Sequence, residues 1–190
     1  MEIVETKLRD LKLVRPRKVG DERGWFAEVF NARCFAAAGL PEHFVQDNQS
    51  FSRLGVLRGL HYQVGQPQGK LVRALSGHIW DVAVDLRPGS PDFGKWAGFD
   101  LHGEDIEFLW IPEGFAHGFV VLSETANVHY KTTGFYYPAG ERSVRWDDPT
   151  LAIDWPLAGI EHPSVSAKDA AASWLKDVEL PARYREPAAQ

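Results

Sequence analysis

His61 stands alone among apolar and small residues in "GVLRGLHYQ", three positions after Arg58. An imidazole has a reference pKa of about 6.5, so it can take up or release a proton near neutral pH. A core histidine that holds a backbone carbonyl is the plainer reading of the same residue. A second imidazole, His117, follows Pro112 and Gly114 in "PEGFAHGF". That Pro-x-Gly-x-x-His spacing makes a tight turn and delivers the ring at the start of a strand. Tyr130 and Tyr136 in "YKTTGFYYP" add two phenols, although buried tyrosine is common in β cores. A phenol facing an imidazole across a pocket is an acid opposite a base. Removing a proton from one face of a carbon and returning one to the other inverts that carbon. Such a C–H must be acidic, most simply beside a carbonyl, and the enolate oxygen needs a cation or donor. Lys70 and His117 are the candidates for that part.

These residues need strands to carry them. Gly and Pro, 17 and 12 in number, punctuate short apolar runs along the chain, which points to an all-β fold. In "HIWDVAVDLRPGS", Val82, Val84 and Leu86 alternate with Asp81, Ala83 and Asp85, so a strand with one face inward is expected. Pro88-Gly89 then turns the chain. "KLVRAL", "WAGFDL", "IEFLWI", "FAHGFVVL" and "NVHYKTTGFYY" read as further strands. Two helices are expected. "NARCFAAAG" has Asn31 as N-cap and Gly39 as its stop. "SAKDAAASWLKD" has Ser166 as N-cap with Asp169 three residues on, like a capping box.

The chain of 190 residues is 44% hydrophobic and has a formal charge of -5. It reads as a single globular domain over 1–190, with added strands and a short helix in 1–50 and a helix and tail in 165–190. The negative charge argues against nucleic acid as the main partner, yet a few local Arg residues suffice for a small anion. The lone Cys34 leaves no internal disulfide and no cysteine-based zinc site. With no apolar leader and no membrane-length run, a cytoplasmic protein without membrane contact is expected.

Gly55-x5-His61 and the Pro112–His117 segment together resemble the two motifs of the cupin family. That resemblance implies a small jelly roll (a double-stranded β-helix) with its pocket in the barrel mouth. The metal-binding pattern of that family is broken here. A second His and a Glu are missing, and Tyr62 and Gln63 follow His61. Two imidazoles without a nearby carboxylate make a poor divalent site, so no metal is expected and His61 is free for proton chemistry.

The segments "VLRGLHYQ", "QGKLVRALSGHIWDVAVDLRPGSPDFGKW", "LWIPEGFAHGFVVLS", "YKTTGFYYP" and "WDDPTLAIDWP" closely resemble the dTDP-4-dehydrorhamnose 3,5-epimerase family, from about Lys12 to Asp169. The resemblance implies a cofactor-free enzyme that inverts C3 and C5 of dTDP-4-dehydro-6-deoxy-D-glucose in dTDP-L-rhamnose synthesis, a supply for cell-wall polysaccharide or lipopolysaccharide O-antigen. It implies that His61 is the general base, Asp169 its orienting carboxylate and Tyr130 the proton donor, with Lys70 and His117 on the enolate side. Tyr136 matches a pocket tyrosine that shapes the sugar site. Arg23, Glu28, Gln46, Asn48, Arg58, Glu141 and Lys168 match substrate contacts. Arg23 and Arg58 suit the diphosphate, because guanidinium offers paired donors to phosphate oxygens. A homodimer is also implied, with N-terminal strands crossing to the partner so that Arg23 or Glu28 completes the neighbouring pocket.

Plainer roles exist for most of these residues: a solvated turn for Arg23, an exposed strand for Glu28, edge hydrogen bonding for Gln46 and Asn48, a helix cap for Asp169. Glu141 could sit in a hairpin turn and Lys168 in a solvated first helical turn. The loop "YQVGQPQG" is slightly shorter than the family pattern, and the length before Asp169 also varies. A single-centre epimerase or keto-isomerase on a related sugar nucleotide therefore stays open. So does a non-catalytic sugar-nucleotide-binding module. A metal-dependent dioxygenase is disfavoured by the missing ligands.

Overall fold

The short apolar runs form thirteen strands among the described residues, 1–186, of a computed structural model. They are β1 (Glu2–Glu5), β2 (Lys12–Arg15), β3 (Lys18–Asp21), β4 (Gly24–Ala27), β5 (Gln46–Arg53), β6 (Leu57–Gln63) and β7 (Lys70–Ser76). There follow β8 (His78–Asp85), β9 (Trp96–His102), β10 (Phe108–Ile111), β11 (Phe115–Val121), β12 (Thr125–Thr132) and β13 (Glu141–Ser143). Helix α1 spans Ala32–Ala37 and α2 spans Ala167–Ala170. The end of the expected tail, 187–190, lies outside the described residues.

Two antiparallel sheets face each other as a jelly roll. One has the order β1-β2-β10-β7-β12-β5 and the other β13-β6-β11-β8-β9. The early strands β1 and β2 find partners within the same chain: β2 pairs with β10 and extends the first sheet. Among the described residues, the hairpin β3–β4 pairs solely with itself. No helix among the described residues is long and apolar enough to cross a membrane.

Strand β8 corrects a sequence expectation. Both of its faces are buried. Val82, Val84 and Leu86 point away from the barrel interior, into a second core with Trp80, Leu151 and Trp155. Complete burial of each such side chain contributes about 1.5–3 kcal/mol, which fastens the C-terminal segment over the outside of the sheet. The opposite parity, Ile79, Asp81, Ala83 and Asp85, faces the interior, where Ile79 and Ala83 join the core between the sheets. A third cluster seats α1 on the first sheet through Phe35, Val14, Leu71 and Trp110.

Asn31 caps α1 by accepting from the Arg33 and Cys34 amides, and Gly39 leaves it at φ 69°. The other expected helix is much shorter than its sequence suggested. After one turn, α2 gives way to a bridge between Ser173 and Val144 and then a 3-10 turn at Leu175–Asp177. Arg145 stacks on Trp174 and donates to the Ala170 carbonyl, while Asp148 accepts from the Leu175 amide. These tertiary bonds satisfy the backbone better than further helical turns would. Two strands are also shorter than read. The run "IEFLWI" begins pairing at Phe108, because Ile106 sits at φ 55°. The run "NVHYKTTGFYY" stops pairing at Thr132.

Candidate active site

Arg58 and His61 are three residues apart on β6, a spacing that would put them on opposite faces of a regular strand. The pairing with β11 resolves this. His61 sits opposite His117 and Arg58 opposite Phe119, so three steps on β6 match two on β11. This is a β-bulge, and it turns both side chains into the same cleft. Gly59 lies in it at φ 130°. A Cβ there would meet the Gly118 Cα at 2.6 Å, so no larger residue fits.

The cleft encloses about 330 Å³ between the sheets, within the range of small-ligand sites. From the first sheet come Gln46, Asn48 and Ser50 of β5, Lys70 of β7 and Tyr130 of β12. From the second come Arg58, His61 and Gln63 of β6, His117 and Phe119 of β11, and Glu141 of β13. Tyr136 closes the mouth and is 52% exposed.

Asp169 serves with two different groups. Its backbone amide donates at 3.0 Å to the hydroxyl of Ser166, which caps α2. Its buried carboxylate sits 2.6 Å from His61 Nε2. Burial opposes ionisation of Asp169, but the hydrogen bond and charge of His61 outweigh it and hold the carboxyl below its ordinary range. An ionised carboxylate accepts, so Nε2–H donates and Nδ1 is the basic nitrogen of the neutral ring.

Lys70 is buried at the cleft floor, its Nζ 3.5 Å from the His61 carbonyl. Desolvation lowers its pKa to about 8, against the opposing charge of Asp81. Tyr130 is held above its ordinary value chiefly by burial, so its phenol keeps its proton at neutral pH. Arg58 is steered by a bond from Nε to the Ser52 hydroxyl at 3.1 Å. Gln46 donates to Asn48 at 2.8 Å and accepts from the Tyr136 amide at 3.0 Å. Tyr136 donates its phenol to Glu141 at 2.8 Å, and Lys168 pairs with the same carboxylate at 2.5 Å. Burial would raise the Glu141 pKa, but these two partners bring it below the usual value.

Eleven of the thirteen residues singled out from sequence thus belong to one constellation, in or directly bonded to the cleft. Arg23 and Glu28 do not line the cleft of their own chain. Arg23 sits at the exposed turn of the β3–β4 hairpin, paired with Asp21 at 2.5 Å, and Glu28 accepts from Asn31. Sequence reasoning missed Ser50, Gln63 and Phe119, and also Asp81, which holds His117 at 2.8 Å. An acidic residue in the middle of an apolar strand was the available signal for Asp81. Gln63 bonds the Gln66 carbonyl and the Tyr137 amide, tying two loops of the mouth together. Both ring histidines are engaged by carboxylates, and no three His, Cys, Asp or Glu side chains converge for a metal ion among the described residues.

The fold and cleft define a cupin-type jelly roll with an acid–base-equipped interior. The family profile described as dTDP-4-dehydrorhamnose 3,5-epimerase matches residues 5–177, and the chain belongs to that family. It is 55% identical over 170 residues to dTDP-4-dehydrorhamnose 3,5-epimerase of Pseudomonas aeruginosa, covering 89% of this chain and 93% of the relative. The crystal structure of dTDP-6-deoxy-D-glucose-3,5-epimerase from Legionella pneumophila in complex with dTDP-4-keto-L-rhamnose is similar, with TM-score 0.92 and 51% identity. It covers 97% of this chain and 99% of that one. A 3'-monoepimerase from Streptomyces bikiniensis in complex with dTDP-quinovose has TM-score 0.85 and 31% identity, over 94% of this chain and 92% of its own.

Proposed function

We propose that the chain inverts both C3 and C5 of dTDP-4-dehydro-6-deoxy-D-glucose. The observation that carries this reading is the placement of base and acid on opposing sheets. His61, backed by Asp169, comes from one sheet and Tyr130 from the other, with one cleft between them. His61 Nδ1 takes the proton from the carbon beside the ketone. The C–H electron pair moves into the carbonyl and makes an enolate. Lys70 donates to the enolate oxygen, a charge that exists only after proton removal, so its contribution falls on the barrier. His117, whose Nε2 faces Asp81, joins it as an imidazolium through Nδ1–H. Tyr130 returns a proton from the other face and the carbon is inverted. The phenolate regains its proton from solvent and His61 releases the one it took. The same sequence at the other carbon flanking the ketone completes the reaction.

Arg58, Gln46 and Asn48 hold the diphosphate and nucleoside side, where guanidinium provides paired donors. Tyr136, Glu141 and Lys168 form a bonded row at the mouth and shape the sugar site. The likeness to a 3'-monoepimerase at lower identity keeps one specific alternative, inversion at a single carbon. Incubation with the sugar nucleotide and a 4-ketoreductase tests the choice. dTDP-L-rhamnose is the expected product, and a product inverted at one carbon would support the alternative.

We also place the chain in a homodimer built by its N-terminal region. The β3–β4 hairpin leaves Val19, Trp25 and Phe26 exposed at 62%, 55% and 74%. An apolar surface on a strand pair with no neighbour calls for cover. Arg23 and Glu28, outside their own cleft, would then complete the partner's. A single exposed, unpaired Cys34 suits a reducing cytoplasm.

A further inference from the structure

Strand β8 sends two aspartates into the interior, and their surroundings differ. Asp85 is satisfied structurally, accepting from Arg87 at 2.7 Å, Ser90 at 2.6 Å and the Arg87 amide at 2.9 Å. Asp81 is also 0% exposed, but its hydrogen bonds run to His117 Nε2 alone, at 3.0 and 2.8 Å. Burial pushes its carboxyl up, and the charge and hydrogen bond of His117 and the charge of Lys70 oppose this. Both of these groups belong to the cleft, which Asp81 itself does not line. A hydrophobic residue would suit this position beside Ile79 and Ala83. A buried carboxylate costs several kcal/mol of desolvation, and ion pairing seldom returns more than that. Stability therefore gives no reason for an acid here.

We propose that Asp81 is a positioning residue, which orients the His117 ring through Nε2 and keeps the Lys70 ammonium charged at the cleft floor. This rests on the reading that an enolate oxygen forms against Lys70 and His117. The titratable and charged groups that share the cleft with Lys70 are Arg58, His61 and Tyr62 of β6, His117 of β11, Tyr130 of β12, Tyr136, and Glu141 of β13, with the charge of Asp81 of β8 also acting on it. The charge of Asp81 favours the protonated amine and opposes the burial that brings Lys70 to about 8. Without it the amine would lose its proton at lower pH, and the donor would be missing under neutral conditions.

The test is Asp81→Asn, which keeps the shape and removes the charge. Lys70 Nζ is titrated by nitrogen-detected NMR in the substrate-free protein, with Lys70→Arg for assignment. The Lys70 midpoint is expected to fall by about one unit or more, a tenfold or greater change in its proton affinity. The alkaline limb of kcat should move down in pH by the same amount, with KM changed less than threefold. Asp81→Glu should restore most of the midpoint. A folded Asn variant with an unmoved Lys70 midpoint, or an unmoved alkaline limb, overturns the proposal. A measurement on the unaltered protein guards against a variant that does not fold. Imidazole nitrogen shifts should place the His117 proton on Nε2 between about pH 6 and 8, and a bare Nε2 overturns the proposal. Neither NMR readout needs substrate, so absence of turnover in the unaltered protein would count against the epimerase reading separately.

Discussion

The Asp169 amide is capped by the Ser166 hydroxyl at the start of α2, while its carboxylate meets His61 Nε2, so one residue takes part in both the helix start and the cleft. That division gives the residue-scale expectations. His61→Asn should lower kcat by about a thousandfold with modest loss of binding, because general-base catalysis is worth roughly 10²–10⁴. Tyr130→Phe should separate two events. The base still removes the proton and exchanges it, but nothing returns one to the opposite face. Solvent deuterium should therefore enter the sugar while inversion falls by about two orders of magnitude or more. Equal loss of exchange and inversion would contradict the donor role of Tyr130. Lys70 sets the pH behaviour: its ammonium persists below about 8 and is lost as pH rises through that value. kcat should therefore fall on the alkaline side, and a flat kcat to about pH 9.5 would argue against Lys70 as the cationic donor. The cleft residues were legible because "VLRGLHYQ", "YKTTGFYYP" and "SAKD" are specific strings. Asp81 was not singled out, because alternation alone made it look like the solvent side of β8.

At the scale of elements, the bulge at Gly59 decides which residues share the cleft. Period-two reading would have set Arg58 and His61 back to back. The register that joins them depends on a partner strand, and a single stretch of sequence does not contain that information. Gly59→Ala introduces a side chain at φ 130° against the Gly118 backbone. Overpacking and backbone strain each cost about 1–3 kcal/mol. Thermal unfolding should fall by roughly 10 °C, since each kcal/mol shifts a domain of this size by about 2–4 °C. Activity at low temperature should fall as well, because Arg58 and His61 lose their common aim. An unchanged melting temperature would contradict the close approach to Gly118. The brevity of α2 has a similar origin. Local propensity in "SAKDAAASWLKD" favours a helix, but Arg145 and Asp148, far away in sequence, claim its backbone.

The whole molecule was legible as all-β because turn residues punctuate apolar runs throughout, and as a jelly roll through its resemblance to the cupin motifs. The N-terminal region was legible only in part. β1 and β2 found partners in their own sheet, and the hairpin β3–β4 kept an exposed apolar surface. Phe26→Ser with Trp25→Ser should weaken self-association in sedimentation and raise KM for the sugar nucleotide together. Full activity from a monomer at nanomolar concentration would rule out a shared cleft. The central claim concerns carbon acids on both sides of one ketone, and proton NMR of dTDP-4-dehydro-6-deoxy-D-glucose with the protein in D₂O reads both directly. Deuterium is expected at C3 and at C5, with the L-rhamno configuration captured by a reductase. No deuterium at either carbon would contradict the account.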